Sequence, residues 1–375
     1  MKKLEEEAAS LALKGSESSK TSNSVKGKGR ERVPTIDEAV WLRVNFTAFN
    51  IQIRNSLIEE AARARYNEGA AAVMRAILIG TEESQLSLSD LRTESINSHS
   101  IMQEIQEDRD LSVGLAGKNI SASPMSSLLK EYIHILSGSD ASWAAASNGG
   151  GTSAGAGASQ GGMAKPFLTY SSSSDGTTTV GGGTGSGSSK VHVEFAGVYR
   201  RLKQAVLDGY VRERWGLLAV RVVRILLSMG KMDEKQLAKV AMISPDDVRP
   251  LISVLSLSSI VSLQEVPKGK DFMPSRTSYF WYVDLARATK VVLETLLKTM
   301  ANIMERKAAE SEMPVLKTLL EARNRTDVAE DESLLTIPEK QLLQRWEEKM
   351  MKFNVLETRV DEAIFILREL PLLDA

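Results

Sequence analysis

The chain contains no cysteine and only three histidines among its 375 residues. The absence of cysteine excludes disulfides, thiolate-bound zinc, iron–sulfur clusters and a cysteine nucleophile. His99, His134 and His192 lie far apart in the sequence, without the close spacing that a histidine-based zinc site favours. We therefore expect neither a structural metal nor a cofactor.

Targeting signals and long apolar runs are also missing. The N-terminal residues Met1–Glu7 lack the apolar region of a signal peptide. No apolar run reaches the roughly 18 residues of a membrane helix, and the most apolar helical stretch contains Arg221 and Arg224. Lys and Arg total 47 against 48 Asp and Glu, which excludes a globally basic protein but not a local basic face. We expect a soluble, intracellular chain without membrane contact.

The sequence shows no convergent set of catalytic residues. Gly182 and Gly187 have the spacing of a phosphate-binding loop, but Ser188 stands where that loop requires lysine. Carboxylate pairs such as Asp246 and Asp247 are adjacent, and neighbours on a helix point about 100° apart. Such pairs do not converge as a general acid and base. We therefore expect a non-catalytic protein.

Composition divides the chain into segments. Residues 1–33 are rich in Lys, Glu, Ser and Gly with little apolar content, which predicts a disordered linker. Residues 144–190 hold 13 of the 26 glycines and have the composition of a flexible insertion. The ordered segments are predicted at 34–208, 209–283 and 284–375.

The strongest local pattern lies between Asp233 and Leu257. Asp233 caps a helix predicted to run to about Ala241, and Ser244-Pro245-Asp246-Asp247 has the form of a capping box with proline at the first helical position. Only Met242 and Ile243 separate the two helices. This spacing is typical of a helix-turn-helix.

Two predicted strands, 260–265 and 277–283, follow this helix pair and flank a basic loop. The order of helices, strand, loop and strand predicts a winged helix at 209–283. The same order, with a possible strand near Ser142-Trp143 and the glycine-rich tract as an expanded wing, predicts another at 34–208. The predicted fold is mainly α with small β-hairpins, namely tandem winged-helix domains followed by an antiparallel coiled-coil hairpin at 284–375.

The last helix has a heptad pattern with Lys349 as its one polar exception. A preceding helix carries a stripe of Leu293, Leu297, Met300 and Met304, and Pro314 is expected to interrupt this first arm. We expect the heptad positions to present an apolar seam to partner proteins; the candidate partner-binding residues are Leu342, Trp346, Phe353, Leu356, Val360 and Leu367.

A local basic face is predicted in the second winged helix. Residues 199–276 hold 14 Lys and Arg against 8 Asp and Glu. Phosphate contacts need cations at the surface, and the candidate DNA-binding residues are Lys231, Lys235, Lys239, Arg249, Lys268, Lys270 and Arg276. Because Asp246 and Asp247 open the recognition helix, we expect backbone contact without base reading. A solvated face, or a face that docks an acidic partner, stays open. Alternation places Tyr279 and Trp281 on one sheet face, where packing is expected.

Several sequence runs resemble one family. They are Val-Ser-Leu-Gln-Glu-Val-Pro-Lys at 261–268, Pro-Ser-Arg-Thr at 274–277, Ala-Asn-Ile-Met-Glu-Arg-Lys at 301–307, Val-Asp-Glu-Ala-Ile-Phe-Ile-Leu at 360–367, and Trp-Leu-Arg-Val-Asn at 41–45. Together they resemble the third-largest subunit of RNA polymerase III, which is the largest member of the polymerase's initiation heterotrimer.

The resemblance covers residues 38–143 and 191–370. The family has four extended winged helices and a C-terminal coiled coil, of which this chain resembles the last two plus the coil. The resemblance implies no catalytic residues, a nuclear location, and a role in initiation, promoter opening and the synthesis of small RNAs such as tRNA and 5S rRNA. It implies contacts to the polymerase clamp, two smaller partner subunits, the initiation factor and promoter DNA. The alternative is a winged-helix scaffold of another large complex, which predicts no DNA affinity.

Overall fold

The computed structural model describes residues 43–105, 111–115, 124–137, 167–170, 190–267, 277–325 and 335–372. The chain divides after Phe46 into two units, and nearly all described residues belong to the second. The predicted linker at 1–33 and the basic loop at 268–276 lie outside the described residues.

The first described elements are two helices, α1 (Phe46–Arg65) and α2 (Glu68–Gly80). The two helices are separate because the Asn67 side chain accepts a hydrogen bond from the Ala70 amide and caps α2. Alanine and aliphatic side chains around α2 are buried on nearly all sides. This helix therefore forms the centre of the N-terminal half.

Around α2 lie α3 (Ser98–Glu104), α4 (Met125–Leu136) and a small sheet. The sheet contains β1 (Ile96–Asn97), β2 (Leu168–Tyr170) and β3 (Lys190–Val193) in the order β1-β3-β2, with both pairs antiparallel. Ile96 pairs with Val191 on one side of β3, and Thr169 pairs with His192 on the other.

The position of β2 differs from the sequence prediction. The expected strand near Ser142-Trp143 lies outside the described residues, whereas β2 lies within the glycine-rich tract and buries Phe167 and Leu168. The connection from β2 to β3, residues 171–189, is therefore shorter than the predicted wing of 144–190. Burial of the apolar side chains of Phe167 and Leu168 explains why this short segment pairs with β3 although the surrounding tract is rich in glycine and serine.

The second half continues with α5 (Phe195–Trp215), α6 (Leu217–Met229), α7 (Glu234–Ala241) and α8 (Pro245–Leu257). Two antiparallel strands follow, β4 (Ser262–Pro267) and β5 (Thr277–Tyr282). Met232 and Trp281 form an additional antiparallel bridge, with N···O distances of 3.0 and 2.8 Å. The segment before α7 therefore lies beside β5. As in the first sheet, the last strand in the chain lies between the other two segments.

Two buried clusters form the interior, and α5 contributes to both. Its first half, including Phe195 and Tyr199, packs in the N-terminal cluster, whereas Leu207 and Val211 pack with α6, α7 and α8. The predicted boundary at 208/209 therefore falls within one continuous helix.

The C-terminal part consists of α9 (Leu285–Ser311), α10 (Pro314–Arg323) and α11 (Ile337–Arg368). The interruption at Pro314 is confirmed. Both α9 and α10 contact α11. Lys307 pairs with Glu357 at 2.7 Å and Glu310 with Lys349 at 3.3 Å, so residue numbers rise along α9 as they fall along α11. The two long helices are therefore antiparallel where they pair.

The end of α11 joins the helical pair to both interior clusters. Ile366 and Leu370 belong to the N-terminal cluster, and Leu367 belongs to the second. The buried Lys203 of α5 donates a hydrogen bond from Nζ to the Leu367 carbonyl at 2.9 Å. Among the described helices, none is long and apolar enough to cross a membrane.

Candidate nucleic-acid interface

The predicted helix-turn-helix is present as α7 and α8. Asp233 caps α7 by accepting a hydrogen bond from the Glu234 amide at 2.8 Å. Met242 then adopts a left-handed conformation with φ of 53°, which turns the chain sharply between the helices. Pro245 occupies the start of α8 as predicted. The two helices thus hold the relative positions that the sequence spacing predicts.

The expected capping box at Ser244 does not form. The Ser244 side chain makes no capping hydrogen bond, although its backbone carbonyl accepts from the amides of Asp247 and Val248. A capping box has Glu or Gln at the third helical position, whereas Asp247 has a shorter side chain. Pro245 and the backbone bonds start the helix without the box.

The exposed face of α8 carries almost no positive charge. Asp246, Pro250, Val254 and Leu257 are exposed on it, and Leu257 is 85% exposed. Arg249 is the only cationic residue of the helix, and its Nε lies 2.8 Å from Glu234 Oε1. Its charge is therefore compensated within the domain. Such a face does not suit insertion between phosphates in a major groove.

The free cations lie on the neighbouring helix and loop. Lys235 and Lys239 are exposed one turn apart on α7, and neither pairs with a carboxylate among the described residues. The Lys231 amine lies 5.5 Å from the centroid of the Tyr282 ring, near enough for a weak cation–π contact. These three lysines form an exposed basic edge, which we call the α7 edge. It can contact phosphates without reading bases.

The wing residues were predicted for the same interface. Lys268, Lys270 and Arg276 lie outside the described residues, so their place in the interface stays a prediction. On β5, Trp281 packs against the second interior cluster as expected. The expected packing of Tyr279 is wrong, because this side chain is exposed. Strand alternation alone did not reveal that the second interior cluster contacts Trp281 but not Tyr279.

The six residues of the predicted apolar seam of α11 differ in their exposure to solvent. Leu342 and Leu356 are 37% and 45% exposed, and Trp346, Phe353 and Val360 are half-buried. Leu367 is only 5% exposed and packs in the second interior cluster. Because its side chain already has intramolecular neighbours, Leu367 is corrected from a partner contact to a core residue. The other five stay candidates.

Two buried ionisable residues were missed from the sequence. The Lys203 amine is buried beside the end of α11, and burial lowers its pKa. Asp208 on α5 accepts a hydrogen bond from Arg224 on α6 at 2.8 Å, yet burial raises the pKa of its carboxyl. Neither residue pairs with a neighbour in sequence, so no local pattern could have indicated them.

The described residues include a buried histidine in the small sheet. His192 shares a 2.7 Å hydrogen bond with Thr169 Oγ1 across the β2–β3 pair, and burial lowers the pKa of its ring. Across the parts of the chain with assigned positions, no group of three or more His, Asp or Glu side chains could hold a metal ion.

Comparison with known proteins links this geometry to one family. The model of the C-terminal winged-helix domain of POLR3C matches residues 207–283, and the model of RNA polymerase III subunit RPC82 matches residues 1–182. The chain is 26% identical over 349 residues to DNA-directed RNA polymerase III subunit RPC3 of Rattus norvegicus, covering 89% of this chain and 56% of that protein.

Fungal relatives share higher identity over a shorter stretch. Subunit rpc3 of Ajellomyces capsulatus is 35% identical over 178 residues, and RPC-3 of Coccidioides immitis is 35% identical over 180 residues. Each of these alignments covers 47% of this chain and 27% of the fungal protein. The chain thus spans about a quarter of the fungal relatives and about half of the rat relative.

Proposed function

Because this chain belongs to the RPC3 (RPC82) family of RNA polymerase III subunits, we propose that it acts as a non-catalytic subunit of that polymerase in transcription initiation and promoter opening. Its partners are then other subunits of the polymerase, two smaller subunits and the clamp among them, together with the initiation factor. It works in the nucleus, where it helps to synthesise small RNAs.

A second winged helix in the N-terminal half belongs to this proposal. The order helix, strand, helix, helix, strand, strand occurs from α2 to β3, and from α6 to β5 the bridged residue Met232 stands in place of the first strand. In each case the last strand lies between the other two strand segments. This repeated topology supports tandem winged helices at 34–208 and 209–283, followed by the helical hairpin at 284–375.

The DNA contact is proposed to be electrostatic and independent of sequence. The observation that carries this part is the contrast between α8, whose one arginine is paired with Glu234, and the α7 edge, whose lysines are exposed. A surface of this kind attracts the phosphate backbone but reads no base edge. The wing residues Lys268, Lys270 and Arg276 are proposed to extend it.

The C-terminal hairpin is proposed to present the partner seam. Leu342 and Leu356 remain exposed on α11 after α9 has packed against it. Exposed leucines at heptad spacing suit contact with another helix. Trp346, Phe353 and Val360, which are half-buried, border the same seam.

The DNA part is tested by measuring binding of the full chain to a mismatched-bubble duplex over a range of salt concentrations. The proposal predicts weak binding that falls steeply with salt and that changes little when the bubble sequence is changed. Lys268→Glu together with Lys270→Glu should weaken it further. Absent or salt-insensitive binding would favour the scaffold alternative, in which winged helices contact protein only.

A further inference from the structure

The corner between α5 and α6 holds an arginine that contacts two aromatic rings. Arg214 Nη1 donates a hydrogen bond to the Tyr210 hydroxyl at 2.9 Å. Its guanidinium carbon lies 5.3 Å from the Trp215 ring centroid and 6.0 Å from that of Tyr210. The two rings meet edge to face at 5.8 Å. Arg214 is thus held in one orientation although its residue is exposed.

Exposed leucines lie directly beside this cluster. Leu217 and Leu218, the first two residues of α6, are 67% and 51% exposed. Arg221 lies one turn further on the same side of the helix and is also exposed. No Asp or Glu occurs in α6, and Arg221 has no ion-pair partner within the described part of the chain.

This combination has the composition of a protein-binding hot spot. Trp, Tyr and Arg are the residues most enriched where truncation weakens an interface strongly. An arginine already fixed by a hydrogen bond and ring contacts loses little conformational freedom on binding. Two neighbouring leucines supply apolar area that is in water in the free chain. We call Tyr210, Arg214, Trp215, Leu217, Leu218 and Arg221 the corner surface.

We propose that the corner surface docks an acidic, leucine-rich segment of another polypeptide. Two uncompensated arginines flank the apolar centre, so a complementary segment carries Asp or Glu around apolar side chains. The inference rests on the proposed function in one respect, because the polypeptide is then another subunit of the same polymerase.

The same observations disfavour two other occupants. Single-stranded nucleic acid binds by stacking bases on open ring faces, but here the two rings meet edge to face and the Arg214 guanidinium lies against Trp215. Exposed leucines also add nothing to a phosphate contact. A second copy of the chain would bring the same two arginines against Arg214 and Arg221, and like charges across an interface oppose binding.

The test places a photo-reactive phenylalanine derivative at Leu218 in the full tagged chain and purifies the assembled complex before irradiation. Mass spectrometry then identifies the cross-linked peptide. The proposal predicts a peptide of another polymerase subunit with net negative charge and apolar residues. Arg214→Glu together with Arg221→Glu should lower the cross-link yield at least about tenfold.

The matched control is Arg200→Glu together with Arg212→Glu, which reverses two exposed charges of α5 outside the corner surface and should leave the yield unchanged. Circular dichroism melts establish that each variant is folded. If the chain does not co-purify with polymerase subunits, the proposed function fails. If it co-purifies but the cross-link is absent, or leads to DNA, to a second copy or to a basic peptide, the corner surface is wrongly assigned.

Discussion

The Nζ atom of Lys349 on α11 lies 3.3 Å from Oε2 of Glu310 on α9, and Arg306 Nη2 lies 2.8 Å from the other oxygen of the same carboxylate. Glu310 is buried although it is charged. Pairing offsets the cost of burying this charge, so the triad ties α9 to α11 at this register. The one polar exception in the predicted heptad of α11 therefore has a structural role.

Replacing Lys349 with methionine should make the protein more sensitive to acid. The hydrogen bond from Lys349 is the main cause that lowers the pKa of Glu310. A carboxyl whose pKa is lowered on folding adds stability above its ordinary pKa and loses it as pH falls through the folded value. In Lys349→Met the pKa of Glu310 rises, so acid unfolding should begin at a higher pH.

An acid titration followed by circular dichroism measures this effect. Lys352→Met is the matched control, because Lys352 is exposed on α11 and has no ion-pair partner among the described residues. An unchanged acid midpoint in Lys349→Met would mean that Lys349 does not stabilise the ionised form of Glu310.

The sequence predicted the helix-turn-helix well because its signals are local. Asp233, Pro245 and the two-residue gap act within a few residues, and α7 and α8 occur where these signals place them. Strand β2 was not predicted because Phe167 and Leu168 are a short apolar pair within a glycine- and serine-rich tract. Its pairing with β3 depends on residues more than 20 positions away.

The α11 seam was predicted only in part for a similar reason. The heptad assigned Leu342, Lys349 and Leu356 to one seam of α11, whereas Leu343 is the buried residue and Met350 and Glu357 are half-buried. Two heptad assignments that differ by one residue fit the apolar positions of α11 almost equally well. They predict different ion pairs with α9, however. Leu367 is buried because the end of α11 packs against the rest of the fold, and a heptad pattern does not predict where that packing occurs.

The free energy of unfolding of the wild type should increase at alkaline pH, and Lys203→Met should abolish this increase. Burial lowers the pKa of Lys203, so between its folded and unfolded values the folded state binds fewer protons than the unfolded state. The free energy of unfolding therefore increases with pH over this interval. Urea unfolding from neutral pH to about pH 10 should show the increase in the wild type and not in the variant. Lys290→Met, which changes an exposed lysine of α9, should keep it.

Arg54→Ala should destabilise the N-terminal half by about 3 kcal/mol. The Arg54 side chain is fully buried, and it donates to the Tyr199 hydroxyl at 3.3 Å, to the Ser87 carbonyl at 3.4 Å and to the Gln85 side chain. It also lies 4.0 Å from the centroid of the Phe195 ring. Its removal deletes these three hydrogen bonds and the ring contact. Thermal unfolding measures the effect.

The control for this prediction is Arg75→Ala, because Arg75 is exposed on α2. It should change the free energy of unfolding by less than about 0.5 kcal/mol. Equal effects of the two substitutions would contradict the role assigned to the Arg54 network.

Lys235→Glu together with Lys239→Glu should weaken bubble-DNA binding and flatten its salt dependence. Each lost phosphate contact lowers the slope of log K against log salt by roughly 0.7 to 0.9. Arg249→Ala should leave both quantities nearly unchanged, because Glu234 already compensates this arginine. Fluorescence anisotropy at several salt concentrations provides the comparison. A larger effect of Arg249→Ala would place the interface on α8 instead.

Affinity purification of the tagged full chain under gentle conditions, with quantitative mass spectrometry of the co-purifying polypeptides, tests the central claim most directly. The account predicts that the catalytic subunits of RNA polymerase III co-purify in nearly equal amount with the chain. Recovery of the folded chain without any polymerase III subunit, or with the subunits of a different complex, would contradict it.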